Sequence, residues 1–168
     1  MATNLTDLAI TPMAGVQGTV TRLNDLISIG GNLSRVARPT WAFGTADDEI
    51  DQVFEDSDTP AAAATKTYIL DDSSMLNPLG GAIDFDKVKA ILVVNTGTTE
   101  LSFLGTCPLF RAGGHAVDDL ITILPGGFLL ATEPGDGWAV GAGETVAIKN
   151  EDGVDAGAFD IIILGLET

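Results

Sequence analysis

The chain has 168 residues and a mass of 17.3 kDa, which is the size of a single domain. Its 24 Asp and Glu against 8 Lys and Arg give a formal net charge of -16, so we expect no nucleic-acid partner, because basic residues supply most of that affinity. The longest apolar runs, AILVV and IIILGL, are strand-sized and far below the ~18 residues of a membrane span, and the single cysteine excludes an intrachain disulfide.

The N-terminal part differs in composition from the remainder of the chain. It carries three of the four arginines, Arg22, Arg35 and Arg38, and few strong apolar runs, while Pro39 is typical of an edge or extended segment. We interpret residues 1–45 as an extended N-terminal arm that adds a strand or packs on a partner. The alternative is that these residues are the first strands of the domain that follows.

Helical spacing is scarce in the sequence, and the segment TADDEIDQVFED shows it best. Ile50, Val53 and Phe54 fall on one helical face, and Asp47 and Asp48 precede them as candidate caps. The pattern predicts a short helix of one or two turns.

Residues 46–168 predict strands separated by turns. The segments VKAILVVN, ELSFLG, LITIL, FLLAT, GWAVG, ETVAIKN and AFDIIILG are apolar or alternating, and Asn-, Gly- and Pro-rich turns recur between them. Turn signals about every 8–12 residues are typical of an all-β sandwich or barrel. We therefore predict an all-β protein: a single β-sandwich or jelly-roll-like domain over 46–168, preceded by the arm.

The stretch ILPGGFLLA predicts a corner between two strands. Pro125 presets its backbone angle and the two glycines that follow permit a bend. We expect Leu124 and either Phe128 or Leu130 to contribute to the core. Trp138 is expected at the start of the next strand.

Candidate catalytic residues are few. His115 is the only histidine, near Asp118 and Asp119, and Cys107 lies eight residues before it. A Gly-x-Ser-x-Gly elbow is missing from the sequence. We interpret His115 as a surface loop residue and predict no catalytic residue and no enzymatic activity.

The many carboxylates leave two further chemistries open. Acidic clusters occur at 47–51, 55–58, 71–72, 84–86 and 118–119, and paired carboxylates can hydrolyse glycosides. The aromatic residues that would hold a sugar are scarce, so we interpret these clusters as solvated surface. Loops such as NEDGVDAG and EPGDG offer oxygens for calcium without a recognised spacing; we predict no metal site and no cofactor.

The order of these segments resembles that of small virion proteins of tailed bacteriophages, the head decoration or cement proteins. The resemblance rests on VFEDSDTPAAAATKTYIL, DFDKVKAILVVNTGTT, ITILPGGFLLATEPGDGWAVGAGETVAIKNEDG and the terminal FDIIILG. It covers Thr45 to Thr168, about three quarters of the chain. These motifs consist mainly of turn chemistry, and no catalytic residue comes with them.

The resemblance implies a β-sandwich bound to the outer face of a phage head, made in the host cytoplasm and located on the capsid exterior. Its partners would be the major capsid protein and further copies of itself, with a homotrimer favoured. As a hypothesis, Arg22, Arg35, Arg38 and Trp41 contact the capsid. The alternative is a fibre or spike module that binds a carbohydrate or receptor, with Trp41 or Trp138 as the stacking surface.

Overall fold

The computed structural model describes the backbone of residues 14–24 and 27–37, and backbone and side chains of residues 39–106, 109 and 120–167. Every regular element among these residues is a β-strand, which confirms the all-β prediction. In the part of the chain that the structure describes, no helix is long and apolar enough to cross a membrane.

The described residues form fifteen strands. They are β1 (Ala14–Asn24), β2 (Ile27–Ala37), β3 (Ala42–Phe43), β4 (Glu49–Ile50), β5 (Gln52–Asp58), β6 (Thr65–Ile69), β7 (Met75–Leu76), β8 (Ala82–Ile83), β9 (Lys87–Asn95), β10 (Leu101–Leu104), β11 (Ile121–Ile123), β12 (Phe128–Thr132), β13 (Trp138–Ala139), β14 (Thr145–Asn150) and β15 (Phe159–Leu166).

Two antiparallel sheets form the body of the domain. One has the order β12-β9-β15-β5, with β13 also paired to β9, and the other has the order β11-β10-β14-β6. Three smaller two-stranded sheets complete the fold: β1 with β2, β3 with β4, and β7 with β8. Trp138 begins β13, as the sequence predicts.

The core lies between the two large sheets. Alternate residues of a strand point to opposite faces, and Ile91, Val93, Ile161 and Ile163 of the first sheet join Phe103 of the second in one buried cluster. The cluster is mainly aliphatic, as expected from the low aromatic content. The two layers around one core are those of a β-sandwich.

A second, smaller cluster covers the outer face of the first sheet. Trp41 and Ile50, from the segment that contains β3 and β4, pack with Val53, Ala90 and Leu164. Trp41 is only 5% exposed. Residues 41–50, which begin within the predicted arm, therefore cover the outer face of this sheet.

The predicted helix over TADDEIDQVFED is wrong, because this segment forms β4 and β5. Val53 and Phe54 point to opposite faces of β5, and both are buried: Val53 in the outer cluster and Phe54 in the main core. The helical spacing therefore arose from a strand that is covered on both faces.

The Pro125–Gly127 corner is confirmed as a turn between β11 and β12. Gly126 has a φ of 73°, and the N–H of Gly127 donates to the carbonyl oxygen of Leu124 at 2.8 Å. The turn carries the chain from one large sheet to the other.

The expected burial around this corner is wrong. Leu124 is 60% exposed and Phe128 64% exposed, and Leu130 is only partly buried. The reason is that β11 and β12 are the edge strands of their sheets, so of the residues leading into the turn only Ile123 reaches the core.

Candidate functional site

The β1–β2 pair is an antiparallel ribbon of eleven residue pairs, about 35 Å long at the usual rise of a strand. Residues opposite each other in an antiparallel pair, and residues two apart along a strand, belong to the same face. Arg22 lies opposite Ile29 and Arg35 opposite Val16. Since Val16 and Arg22 are an even number of residues apart, both arginines belong to one face.

The two faces of this ribbon differ in composition. The face of Arg22 and Arg35, called the arginine face below, also contains seven apolar residues, besides Gly18, Asn24 and Gly31: Ala14, Val16, Val20, Ile27, Ile29, Leu33 and Ala37. The opposite face takes Gln17, Thr19, Thr21, Ser28, Asn32 and Ser34, besides Leu23 and Val36. The ribbon is therefore amphipathic, and its apolar face is the basic one.

The structure brings together two of the four predicted capsid-contact residues. Arg22 and Arg35 share the arginine face, whereas Arg38 lies outside the described residues. Trp41 is buried among residues of its own chain, and its indole nitrogen Nε1 is buried without a hydrogen-bond partner. Its ring is thus covered by residues of its own chain.

The Pro125–Gly127 turn and its flanks form an exposed apolar surface, called the apolar corner below. Its four large side chains are Leu120, Ile121, Leu124 and Phe128, with exposed fractions of 52%, 36%, 60% and 64%. These four side chains lie along the edges of two different sheets, since Ile121 pairs opposite Phe103 in one sheet and Phe128 opposite Val94 in the other.

A groove of about 380 Å³ lies between β5 and β6, the edge strands at the other side of the sandwich. The Tyr68 hydroxyl donates to Asp56 Oδ2 at 2.8 Å, and Lys66 pairs with Asp58 at 2.9 Å. Burial, followed by the contact with Asp56, raises the pKa of Tyr68, while Asp58 raises the pKa of Lys66. Each of these four polar side chains is thus paired with another of them, across β5 and β6.

The tryptophan and tyrosine rings are largely covered. Trp41 and Tyr68 are each 5% exposed, and Trp138 is partly buried against the main core. A sugar-stacking surface needs an aromatic ring with one exposed face. The two tryptophans that the carbohydrate alternative names are instead packed against other residues of the domain.

A β-bulge in β9 buries a lysine. Leu164 pairs with Ala90 and Gly165 with Val88, which leaves Lys89 without a ladder partner. Its side chain is fully buried, and Nζ donates to two backbone carbonyl oxygens, those of Asp47 and Gly135.

This lysine joins two loops, 44–48 and 133–137. Burial lowers the pKa of Lys89, and the nearby Lys87 ammonium lowers it further. Lys87 itself pairs with Asp47 Oδ1 at 2.9 Å. We call this arrangement the Lys89 clasp; it holds the loops by hydrogen bonds to backbone rather than by an ion pair.

The acidic clusters are engaged locally. Asp71 and Asp72 accept backbone hydrogen bonds from Gly143 and Ser74, and the Asp152 carboxylate accepts from Val154 and Asp155 at 2.7 and 2.9 Å. Among the described residues no group of three or more His, Cys, Asp or Glu could hold a metal ion. His115, Cys107, Asp118 and Asp119 lie outside the described residues.

Sequence reasoning missed the apolar corner and the Lys89 clasp. The signal for the clasp was a lysine between Val88 and Ala90 in an otherwise apolar run, since a lysine is almost never fully buried unless its ammonium is satisfied. The signal for the corner was the apolar run on both sides of the turn, which we assigned to the core.

Comparison with known proteins identifies no relative of this chain. No protein-family model, no curated protein and no solved structure matches the chain.

Proposed function

We propose that the chain is a structural virion protein that binds the major capsid protein on the outer face of a phage head and stabilises the shell, without enzymatic activity. The single observation that carries the proposal is the arginine face of the β1–β2 ribbon, where Arg22 and Arg35 lie among apolar residues. The resemblance of residues 45–168 to decoration proteins supports the same function.

The ribbon has the composition of a binding arm. A two-stranded hairpin alone is marginally stable in water, and among the described strands β1 and β2 form a sheet of their own. An amphipathic ribbon of this kind gains stability when its apolar face is covered by a partner.

Charge is distributed unevenly between the arm and the sandwich. Residues 1–45 contain three arginines against Asp7 and Asp25, whereas residues 46–168 contain 22 Asp and Glu against 5 Lys and Arg. The arm is thus the one part of the chain that a partner with acidic and apolar surface can attract, and the sandwich repels polyanions.

This distribution favours the outside of the head over its inside. Packaged DNA repels a domain with a large excess of carboxylates, while an exposed acidic surface keeps a protein soluble. We therefore propose that the arm lies against the capsid and that the sandwich faces solvent.

Co-sedimentation with heads that lack this chain tests the proposal. The variant Arg22→Gln with Arg35→Gln removes two charges from the arginine face, and Gln17→Glu with Thr21→Glu changes the net charge by the same two units on the opposite face. We expect the arginine variant to bind roughly 10–100-fold more weakly, and the control variant to bind within about threefold of the unmodified protein.

Two outcomes would count against the proposal. Absence of binding by the unmodified protein would reject the capsid as its partner. Equal weakening by both double variants would show that overall charge, rather than the arginine face, controls binding.

A further inference from the structure

The groove between β5 and β6 follows the edges of both large sheets. Among the described strands, β5 ends one of these sheets and β6 ends the other. Three consecutive residues of each strand line the groove, 54–56 of β5 and 66–68 of β6. Because consecutive side chains point to opposite faces of a sheet, three residues in a row have only the edge of the strand in common. The groove therefore borders the main chain of both edge strands.

The amides at the end of β5 show which edge of this strand faces away from its sheet. The N–H of Ser57 donates to Asp56 Oδ1 at 2.9 Å. The N–H of Thr59, directly after the strand, donates to Asp58 Oδ1 at 2.6 Å. Amides that faced β15 would donate to carbonyl oxygens of that strand instead, so these two mark the outward edge. Since alternate residues direct their N–H groups to the same edge, the amide of Glu55 in the groove lining lies there as well.

The strands beside the groove carry an excess of negative charge. β5 contains three carboxylates, those of Glu55, Asp56 and Asp58, whereas β6 contains one ammonium group, that of Lys66. Lys66 Nζ lies 2.9 Å from Asp58 and 3.9 Å from Asp56, so one cation faces three anions. The whole chain has a formal net charge of -16, which adds to the same field. A cationic ligand is therefore attracted to the groove, and an anionic one is repelled.

The groove also has an apolar end, at the β7–β8 hairpin. Met75 and Leu76 line it; Met75 is buried, whereas Leu76 is 54% exposed. Leu79, between the same two strands, is 57% exposed but is not part of the lining. An apolar side chain of a ligand can thus be covered at Leu76.

We propose that this groove binds an extended segment of a partner protein that contains Lys or Arg, and that the segment adds to the sheet as a strand beside β5. Main-chain hydrogen bonds to an open strand edge give such a complex its affinity, and the flanking side chains give it specificity. The carboxylates of β5 select the basic side chains, and Leu76 contacts an apolar one. This binding site goes beyond the proposed function, because it lies on the sandwich and does not involve the β1–β2 ribbon.

Fluorescence anisotropy with a labelled peptide of the sequence Thr-Val-Arg-Val-Arg-Val-Thr tests the inference on the full chain. The three valines of this test peptide are N-methylated, so that only one of its edges can form strand hydrogen bonds and it does not pair with itself. A second peptide has Gln in place of both Arg residues. A third is N-methylated at both Arg residues as well, which blocks the other edge and keeps the charge.

We expect the test peptide to bind with a dissociation constant on the order of 10–100 μM. The Gln peptide should bind at least about 10-fold more weakly, since it lacks the cations. The peptide that is methylated on both edges should not bind, because it cannot pair with a strand. Binding should weaken as salt increases.

Two pairs of variants locate the site on the protein. Glu55→Lys reverses a charge in the groove, and Glu100→Lys makes the same change at an exposed residue outside the lining. Leu76→Ser removes the apolar contact, and Leu79→Ser is its control on the same hairpin. We expect Glu55→Lys to weaken binding about 10-fold, Leu76→Ser about fivefold, and both controls to stay within about twofold. Circular dichroism establishes that each variant is folded.

Four outcomes would overturn the inference. They are no saturable binding up to about 1 mM peptide, equal binding of the peptide methylated on both edges, which would assign the groove to a cation without strand pairing, and equal weakening by Glu55→Lys and Glu100→Lys. The fourth is peptide binding that declines as the protein concentration rises, which would assign the groove to a second copy. No phage head is present, so failure here is distinct from failure of the proposed function, which co-sedimentation tests through the arginine face.

Discussion

Replacement of Lys89 tests the clasp that holds the outer loops of the sandwich. Lys89→Ala removes three buried methylene groups, each worth about 0.8 kcal/mol, and the hydrogen bonds to the carbonyl oxygens of Asp47 and Gly135. Each bond to a charged donor contributes about 1.5–3 kcal/mol, and relief of the desolvation of the buried ammonium offsets part of this loss. We expect a net loss of about 2–4 kcal/mol.

Lys89→Met serves as the matched control. It keeps a chain of similar length in the same space and removes both the hydrogen bonds and the buried charge, so we expect stability within about 1 kcal/mol of the unmodified protein. Urea unfolding at pH 7, followed by circular dichroism, gives both free energies. Stability of Lys89→Ala within about 0.5 kcal/mol of the unmodified protein would refute the buried clasp.

The pH dependence of this difference has a defined sign. Burial places the pKa of Lys89 below its ordinary value, so the protonated form is disfavoured by folding. This penalty is fully present below the folded pKa and disappears as the pH rises from there to the ordinary value of about 10.4. As the pH rises from 7 to about 10, the free energy of unfolding of the unmodified protein should therefore increase relative to that of Lys89→Met. An opposite trend would contradict the assignment.

Three further substitutions test other parts of the fold by urea unfolding. Tyr68→Phe removes the hydrogen bond to Asp56 and should cost about 1 kcal/mol; no loss would mean that water replaces the bond at no cost. Burial raises the pKa of Asp51, so its ionised form opposes folding at pH 7. Asp51→Asn should therefore stabilise by up to about 1 kcal/mol at pH 7, and the gain should disappear below about pH 4, where the carboxyl is protonated in both states. A gain that persists at pH 3 would have another cause. Gly105 has a φ of 130°, and a Cβ there would lie 2.4 Å from the carbonyl oxygen of Thr145. Gly105→Ala should cost at least about 2 kcal/mol; a neutral result would show that this close approach relaxes freely.

Much of the fold could be predicted from the sequence because alternation and turn residues act locally. VKAILVVN and AFDIIILG became β9 and β15, neighbours in one sheet, and Pro125–Gly127 became the turn between the sheets. The segment TADDEIDQVFED was misread because apolar residues at adjacent positions were taken as a helical face. Only the tertiary structure shows that β5 is covered on both sides.

The surfaces were harder to predict than the strands. Hydrophobicity alone cannot distinguish a core residue from an exposed apolar residue. Leu124 and Phe128 were therefore predicted in the core, although both are exposed. Which residues share the arginine face depends on the register of β1 with β2, and composition indicates only that the arginines cluster. The partners of Lys89 come from two distant loops, so no local pattern could name them.

The central claim is that the chain coats a phage head through its N-terminal arm. A reconstruction of heads incubated with the purified protein measures this most directly. We predict extra density on the outer capsid surface, with the β1–β2 ribbon against the major capsid protein and the sandwich projecting into solvent. Heads that show no added density at saturating protein, or density contacted only by the acidic sandwich, would contradict it.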